Sequence, residues 1–97
     1  MIYRLVTMRF SEDRWDEFLH TYQHVQPVIL TFPGCRDVKL LRDEQDPAVF
    51  STLSVWDTED HLTHYRMSAF FRETWSTIRP WMSGKPVAVS YREITWI

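Results

Sequence analysis

Residues 2–10 carry strand-forming side chains, with Ile2, Val6, Met8 and Phe10 on one face and Tyr3 and Leu5 on the other, so both faces need cover. The period then changes. Ser11 followed by Glu12 and Asp13 has the chemistry of a helix N-cap and an acidic first turn. Trp15, Phe18, Leu19, Tyr22, Val25 and Ile29 recur at helical spacing behind it. This predicts an amphipathic helix ending near Leu30 or Thr31, kinked or loosened by Pro27. Phe32-Pro33-Gly34-Cys35 reads as a turn, residues 35–42 as a second strand, and residues 48–56 as a third, close enough across the polar loop 43–47 to form a hairpin. Asp57 or Thr58 can cap the next helix, and Ser68 a further one in which Phe71, Trp75, Ile78 and Met82 share a stripe and Pro80 marks the end. After the break at Ser83-Gly84-Lys85-Pro86, residues 87–94 form the last strand, and Thr95-Trp96-Ile97 is an apolar tail that would be odd if left in water.

The element order is β-α-β-β-α-β with the second helix broken in two, in a single domain spanning residues 1–97. That order predicts an α+β, ferredoxin-like sandwich: a four-stranded antiparallel sheet with its helices on one face. The other face is left bare. Because residues 2–10 are apolar on both sides, the bare face is expected to be buried by a second copy, giving a two-fold homodimer.

A chain of 97 residues buries a thin core, yet this one carries five Trp, six Phe and four Tyr. Aromatics in that number must divide between core, ligand pocket and subunit interface. The net charge of −2 is spread without a basic stripe, which argues against nucleic acid as a partner. No apolar run approaches membrane-spanning length, and no leader pattern precedes the first strand, so a soluble cytoplasmic protein is expected. Cys35 is alone and reads as a small buried side chain rather than a catalytic thiol. With only Gly34 and Gly84, there is no phosphate-cradling loop.

The ordered set Phe32-Pro33-Gly34-Cys35, Val55-Trp56, Asp57-Thr58-Glu59, Leu62, Tyr65-Arg66 and Ser68 through Phe71 to Trp75 resembles the antibiotic biosynthesis monooxygenase family. The resemblance covers essentially the whole chain and implies a dimeric α+β barrel. Some members of that family oxygenate polycyclic phenols to quinones without metal or flavin. Others bind and cleave haem, and many have no known substrate. Haem-cleaving relatives need an axial His on the second helical segment, an Asn on the first strand and a Trp ending the third. Here Trp56 matches, but Trp75 stands at the His position and residues 2–10 contain no Asn. Two of the three parts are missing, so haem binding is the less favoured alternative, and the oxygenase branch that the resemblance implies needs no cofactor. Many other members carry a His nine residues after the strand-end Trp, where this chain has Tyr65. A phenol donates hydrogen bonds well, but with an unperturbed pKa of about 10 it accepts protons poorly at neutral pH.

Helical geometry separates the four His. His20 and His24 lie opposite the apolar stripe of the first helix, an exposed pair without a third metal ligand, so no metal site is expected. His64 falls on the exposed side of the second helix, and His61 lies nearer the buried side defined by Leu62, Tyr65 and Ala69. If the protein is an enzyme, the expectation is proton transfer by His61, oxyanion contact by Tyr65 and enclosure of a small aromatic substrate by Trp56, Phe71 and Trp75. The competing reading is a non-catalytic dimeric barrel that binds a small metabolite or serves a structural role, with a filled interior. Arg4 and Arg9 lie on opposite faces of the first strand; one pointing into a covered space would need a carboxylate across the interface or an anionic ligand.

Overall fold

A computed structural model describes residues 1–96 of the chain. Strands β1 (Ile2–Arg9), β2 (Cys35–Arg42), β3 (Val49–Trp56) and β4 (Val87–Arg92) form one antiparallel sheet in the order β2-β3-β1-β4. Helix α1 (Trp15–Ile29) crosses from β1 to β2, while α2 (Glu59–Arg66) and α3 (Ala69–Ile78) connect β3 to β4. This is the expected ferredoxin-like α+β fold. The register places Val38, Ser54, Arg4 and Ser90 in one row across the sheet.

Alternation along the strands decides what each face carries. Ile2, Met8, Phe50 and Trp56 turn toward the helices and are buried. Tyr3, Leu5, Leu53, Val55, Val89 and Tyr91 have the opposite parity and lie on the face that no helix covers. Strand β4 is exposed along its whole length.

The helix caps follow the sequence at two of three places. Thr58 Oγ1 accepts from the His61 backbone N–H at 3.2 Å, and Ser68 Oγ accepts from that of Phe71 at 3.1 Å. At the third place the chain first makes a 3-10 turn, Glu12–Arg14, closed by Arg14 N–H donating to the Ser11 carbonyl. The Ser11 side chain makes no capping bond, and α1 starts only at Trp15, whose indole N–H donates to the Phe10 carbonyl at 2.9 Å. Pro27 sits inside α1 on its exposed side, where the carbonyl it orphans can be hydrated, and the helix continues to Ile29. Strand β4 stops at Arg92, two residues before the predicted end. Trp96 is 87% exposed, and Ile97 of the apolar tail lies outside the described residues.

The core divides into two clusters. Ile2, Ile29, Val38, Trp56 and Leu62 fill one end of the space between sheet and helices; Met8, Phe10, Phe18, Phe50 and Ile78 fill the other.

Candidate functional site

Between the two clusters the interior is hollow. Toward the helices, β3 presents Phe50, Thr52, Ser54 and Trp56 in turn, so two bulky rings flank two small polar side chains. The gap above Thr52 and Ser54 is a cavity of about 280 Å³. Its roof comes from α1 (Phe18, Tyr22, Val25), and its side wall from α2 (Leu62, Tyr65) and α3 (Phe71, Trp75, Ile78). Exposed Arg66 and Ala88 also line it, so it opens where the helices leave β4 uncovered.

The wall is built from aromatic contacts. Tyr65 stacks on Trp56 with ring centroids 5.0 Å apart and 24° between planes. Phe71 meets Tyr65 edge-on at 5.2 Å, and Trp75 lies parallel to Phe71 at 6.1 Å. Such pairs hold one another's orientation in addition to the area they bury.

The polar groups inside are hydroxyls and two guanidinium groups. The Tyr22 hydroxyl is buried and has no hydrogen-bond partner among the described residues. Burial, reinforced by nearby Asp37 and Cys35, pushes its pKa up to about 12. Burial likewise raises the Tyr65 phenol well above the ordinary tyrosine range, so both remain protonated donors at neutral pH. Arg4 enters from β1, half-buried, and its Nη1 donates to Ser90 Oγ at 3.0 Å. Burial and the neighbouring Arg66 lower its pKa. Among the described residues, no His, Cys, Asp or Glu side chain lines this cavity.

Of the residues singled out by sequence, Tyr65, Phe71 and Trp75 meet in the cavity wall. Trp56 stands behind them: it is 0% exposed, does not line the cavity, and donates its indole N–H to Ser54 Oγ at 2.9 Å. It therefore backs Tyr65 and positions Ser54 in the floor. His61 is also outside the cavity. Its ring packs on Gly34, where φ is +81° and an added Cβ would come within 2.2 Å of the His61 Cγ. Its Nδ1 lies 2.7 Å from the Thr58 hydroxyl, which can donate to it when that nitrogen is unprotonated. His20, His24 and His64 are exposed, and among the described residues no three His, Cys, Asp or Glu side chains gather as a metal site. Cys35 packs half-buried against the Trp56 cluster, with burial raising its thiol pKa.

By sequence alone Tyr22 belongs to the general apolar stripe of α1, and the two arginines are not distinguished. The signals were present: Arg4 shares the parity of Ile2, Val6 and Met8, whereas Arg9 points away and pairs with Asp46.

The family model of the antibiotic biosynthesis monooxygenases matches residues 1–75, which span β1 to Trp75 and most of the cavity lining. The chain belongs to this family. Its fold is shared by solved structures of low sequence identity. One is a protein from Nitrosomonas europaea proposed to be an antibiotic biosynthesis monooxygenase, 18% identical, with TM-score 0.89 over 98% of this chain and 100% of that one. Another, from Caulobacter crescentus and proposed to be of the same type, is 22% identical, with TM-score 0.88 over 97% and 90%. A third such protein, from Deinococcus radiodurans, is 13% identical, with TM-score 0.90 over 100% and 96%. At these identities the likeness speaks for the fold. No curated protein matches the chain. No helix among the described residues of this family member is long and apolar enough to cross a membrane.

Proposed function

We propose that this member of the antibiotic biosynthesis monooxygenase family is a homodimeric, cofactor-independent monooxygenase acting on a small hydrophobic aromatic substrate of the phenol or quinol type. The observation that carries the reading is the aromatic-walled cavity of about 280 Å³. A dry apolar cavity of about 150 Å³ suffices to bind benzene, so this one has room for a fused bicyclic ring. A barrel filled for structural purposes alone would have packed the space over Thr52 and Ser54.

The chemistry begins with an ionised phenol or enol that passes an electron to O₂. One oxygen atom then enters the ring as a new carbonyl oxygen, and the other leaves as water. In this protein Phe71 and Trp75 enclose the substrate, and the Tyr65 and Tyr22 hydroxyls donate to the developing oxyanion, where water-poor surroundings strengthen each hydrogen bond. Because no carboxylate or imidazole of the described residues lines the cavity, we assign the departing proton to solvent at the open edge, and the His61 ring to its contact with Thr58 at the start of α2. The apolar open face around Leu5, Leu53 and Val89 supports burial against a second copy.

Incubation with a panel of naphthols and anthrones, with and without O₂, tests the assignment. Quinone formed only aerobically, and about tenfold or more slowly by Tyr65→Phe, is expected. No turnover of any member, with ligands nonetheless bound, would favour a non-catalytic metabolite-binding barrel.

A further inference from the structure

Arg4 and Arg66 are the charged side chains of the cavity, and they lie close enough for Arg66 to depress the Arg4 pKa. Arg9, Arg14, Arg36 and Lys39 each sit beside a carboxylate. Among the described residues, Arg4 and Arg66 have no carboxylate within ion-pair distance, and the only side-chain partner of Arg4 is the neutral hydroxyl of Ser90. A half-buried guanidinium facing a cavity without a counter-ion is costly unless an anion arrives to meet it. An adjoining depression of about 270 Å³ shares Leu62 and Arg66 with the cavity and adds Arg92 and Glu59, so cations outnumber anions there too. The far side of the cavity differs. The partnerless Tyr22 hydroxyl lies toward β2, and Val38 on that strand is two strand spacings, about 10 Å, from Arg4 along their shared row.

We propose that Arg4 and Arg66 form an oxyanion-receiving subsite at the open edge of the cavity, and that the natural ligand is an amphiphilic anion. Its flat hydrophobic body lies against Phe71 and Trp75, and a carboxylate or phosphate-ester group meets the two guanidinium groups, whose paired N–H donors match two oxygens of either head group. This deepens the functional reading above and rests on the same cavity being the ligand site, but it is tested by binding rather than by turnover.

The test is calorimetric titration of the intact protein with 2-naphthoate, 2-naphthyl phosphate and the neutral 2-naphthamide. At least one anion should bind about tenfold or more tightly than the amide, and the better of the two identifies the head group. Added salt should weaken anion binding and leave the amide unchanged. Arg4→Met and Arg66→Met should each reduce the preference, the double variant should abolish it, and Arg4→Lys should keep part of it. Circular dichroism checks the fold of each variant, and the salt dependence of the wild type needs no variant at all. Equal affinity for the amide and both anions, absence of binding included, overturns the proposal, as does a preference that survives in the folded double variant. Turnover of neutral phenols without any anion preference would retain the oxygenase and remove the subsite; anion preference without turnover would do the reverse.

Discussion

The indole of Trp56 and the phenol of Tyr65 lie stacked with centroids 5.0 Å apart, so a fully buried residue at the end of β3 sets the orientation of one exposed to the cavity. The strand supplies the rigid partner and the short α2 supplies the working face. Trp56 is anchored in turn by its hydrogen bond to Ser54, which itself lines the cavity floor.

Replacing Trp56 by Phe removes that anchor and leaves the buried Ser54 hydroxyl without its donor. The expected cost is about 1–3 kcal/mol of stability, read from the urea midpoint. Ligand affinity should fall as well, because Tyr65 is left with a smaller ring to stack on.

Gly34→Ala combines a left-handed backbone at φ +81° with a clash against the His61 ring. The backbone alone should cost about 1–3 kcal/mol. In a double-mutant cycle with His61→Ala the two substitutions should couple by about 0.5 kcal/mol or more, since removing the ring relieves the closest contact but leaves the φ and the approach to the Cβ of residue 61 at 2.6 Å. His61→Ala alone should leave the affinity for a cavity ligand unchanged; a tenfold loss would return His61 to the site.

Tyr22 sets stability against binding. Its buried hydroxyl has no partner among the described residues, so Tyr22→Phe should raise stability by up to about 1 kcal/mol while weakening a ligand that accepts a hydrogen bond there. The pH dependence follows from the same burial. Above the ordinary tyrosine pKa of about 10, the unfolded chain has released a proton that the folded Tyr22, at about 12, still holds. This stability is complete below about pH 10 and is lost as pH rises toward 12, and Tyr65 acts in the same direction. Melting temperature should therefore fall across that window, and less steeply in Tyr22→Phe.

Leu5 pairs with Leu53 on one side and Val89 on the other, at the middle of the uncovered sheet face. Wild-type protein should sediment as a dimer at micromolar concentration, and Leu5→Glu as a folded monomer. A stable wild-type monomer would remove the barrel from the account.

Much of this architecture was legible in the chain, because strand alternation, the Thr58 and Ser68 caps and the stripe of α1 are local properties that packing did not override. Ser11 is not a side-chain helix cap: Trp15 ties back to Phe10 five residues earlier, and the first turn tightens to 3-10 geometry. The site was only partly legible. Tyr65, Phe71 and Trp75 converge as their spacing suggested, but the helical angle of His61 could not reveal that Gly34 would take the space beside its ring. Trp56 has the parity of a cavity residue, yet register with Ile2 and Cys35 places it within the packed end of the sheet. The small pair Thr52 and Ser54 between Phe50 and Trp56 was the readable mark of the hollow, and it depends on knowing that all four share one face.

The central claim is that this cavity inserts an oxygen atom from O₂ into an aromatic substrate. Mass spectrometry of the quinone formed from a naphthol or anthrone under heavy-isotope dioxygen tests it most directly. The account predicts one labelled oxygen per product molecule, with the rate lowered about tenfold or more in Tyr65→Phe. Product carrying no label, or formed equally fast by Tyr65→Phe and by buffer without protein, would contradict it.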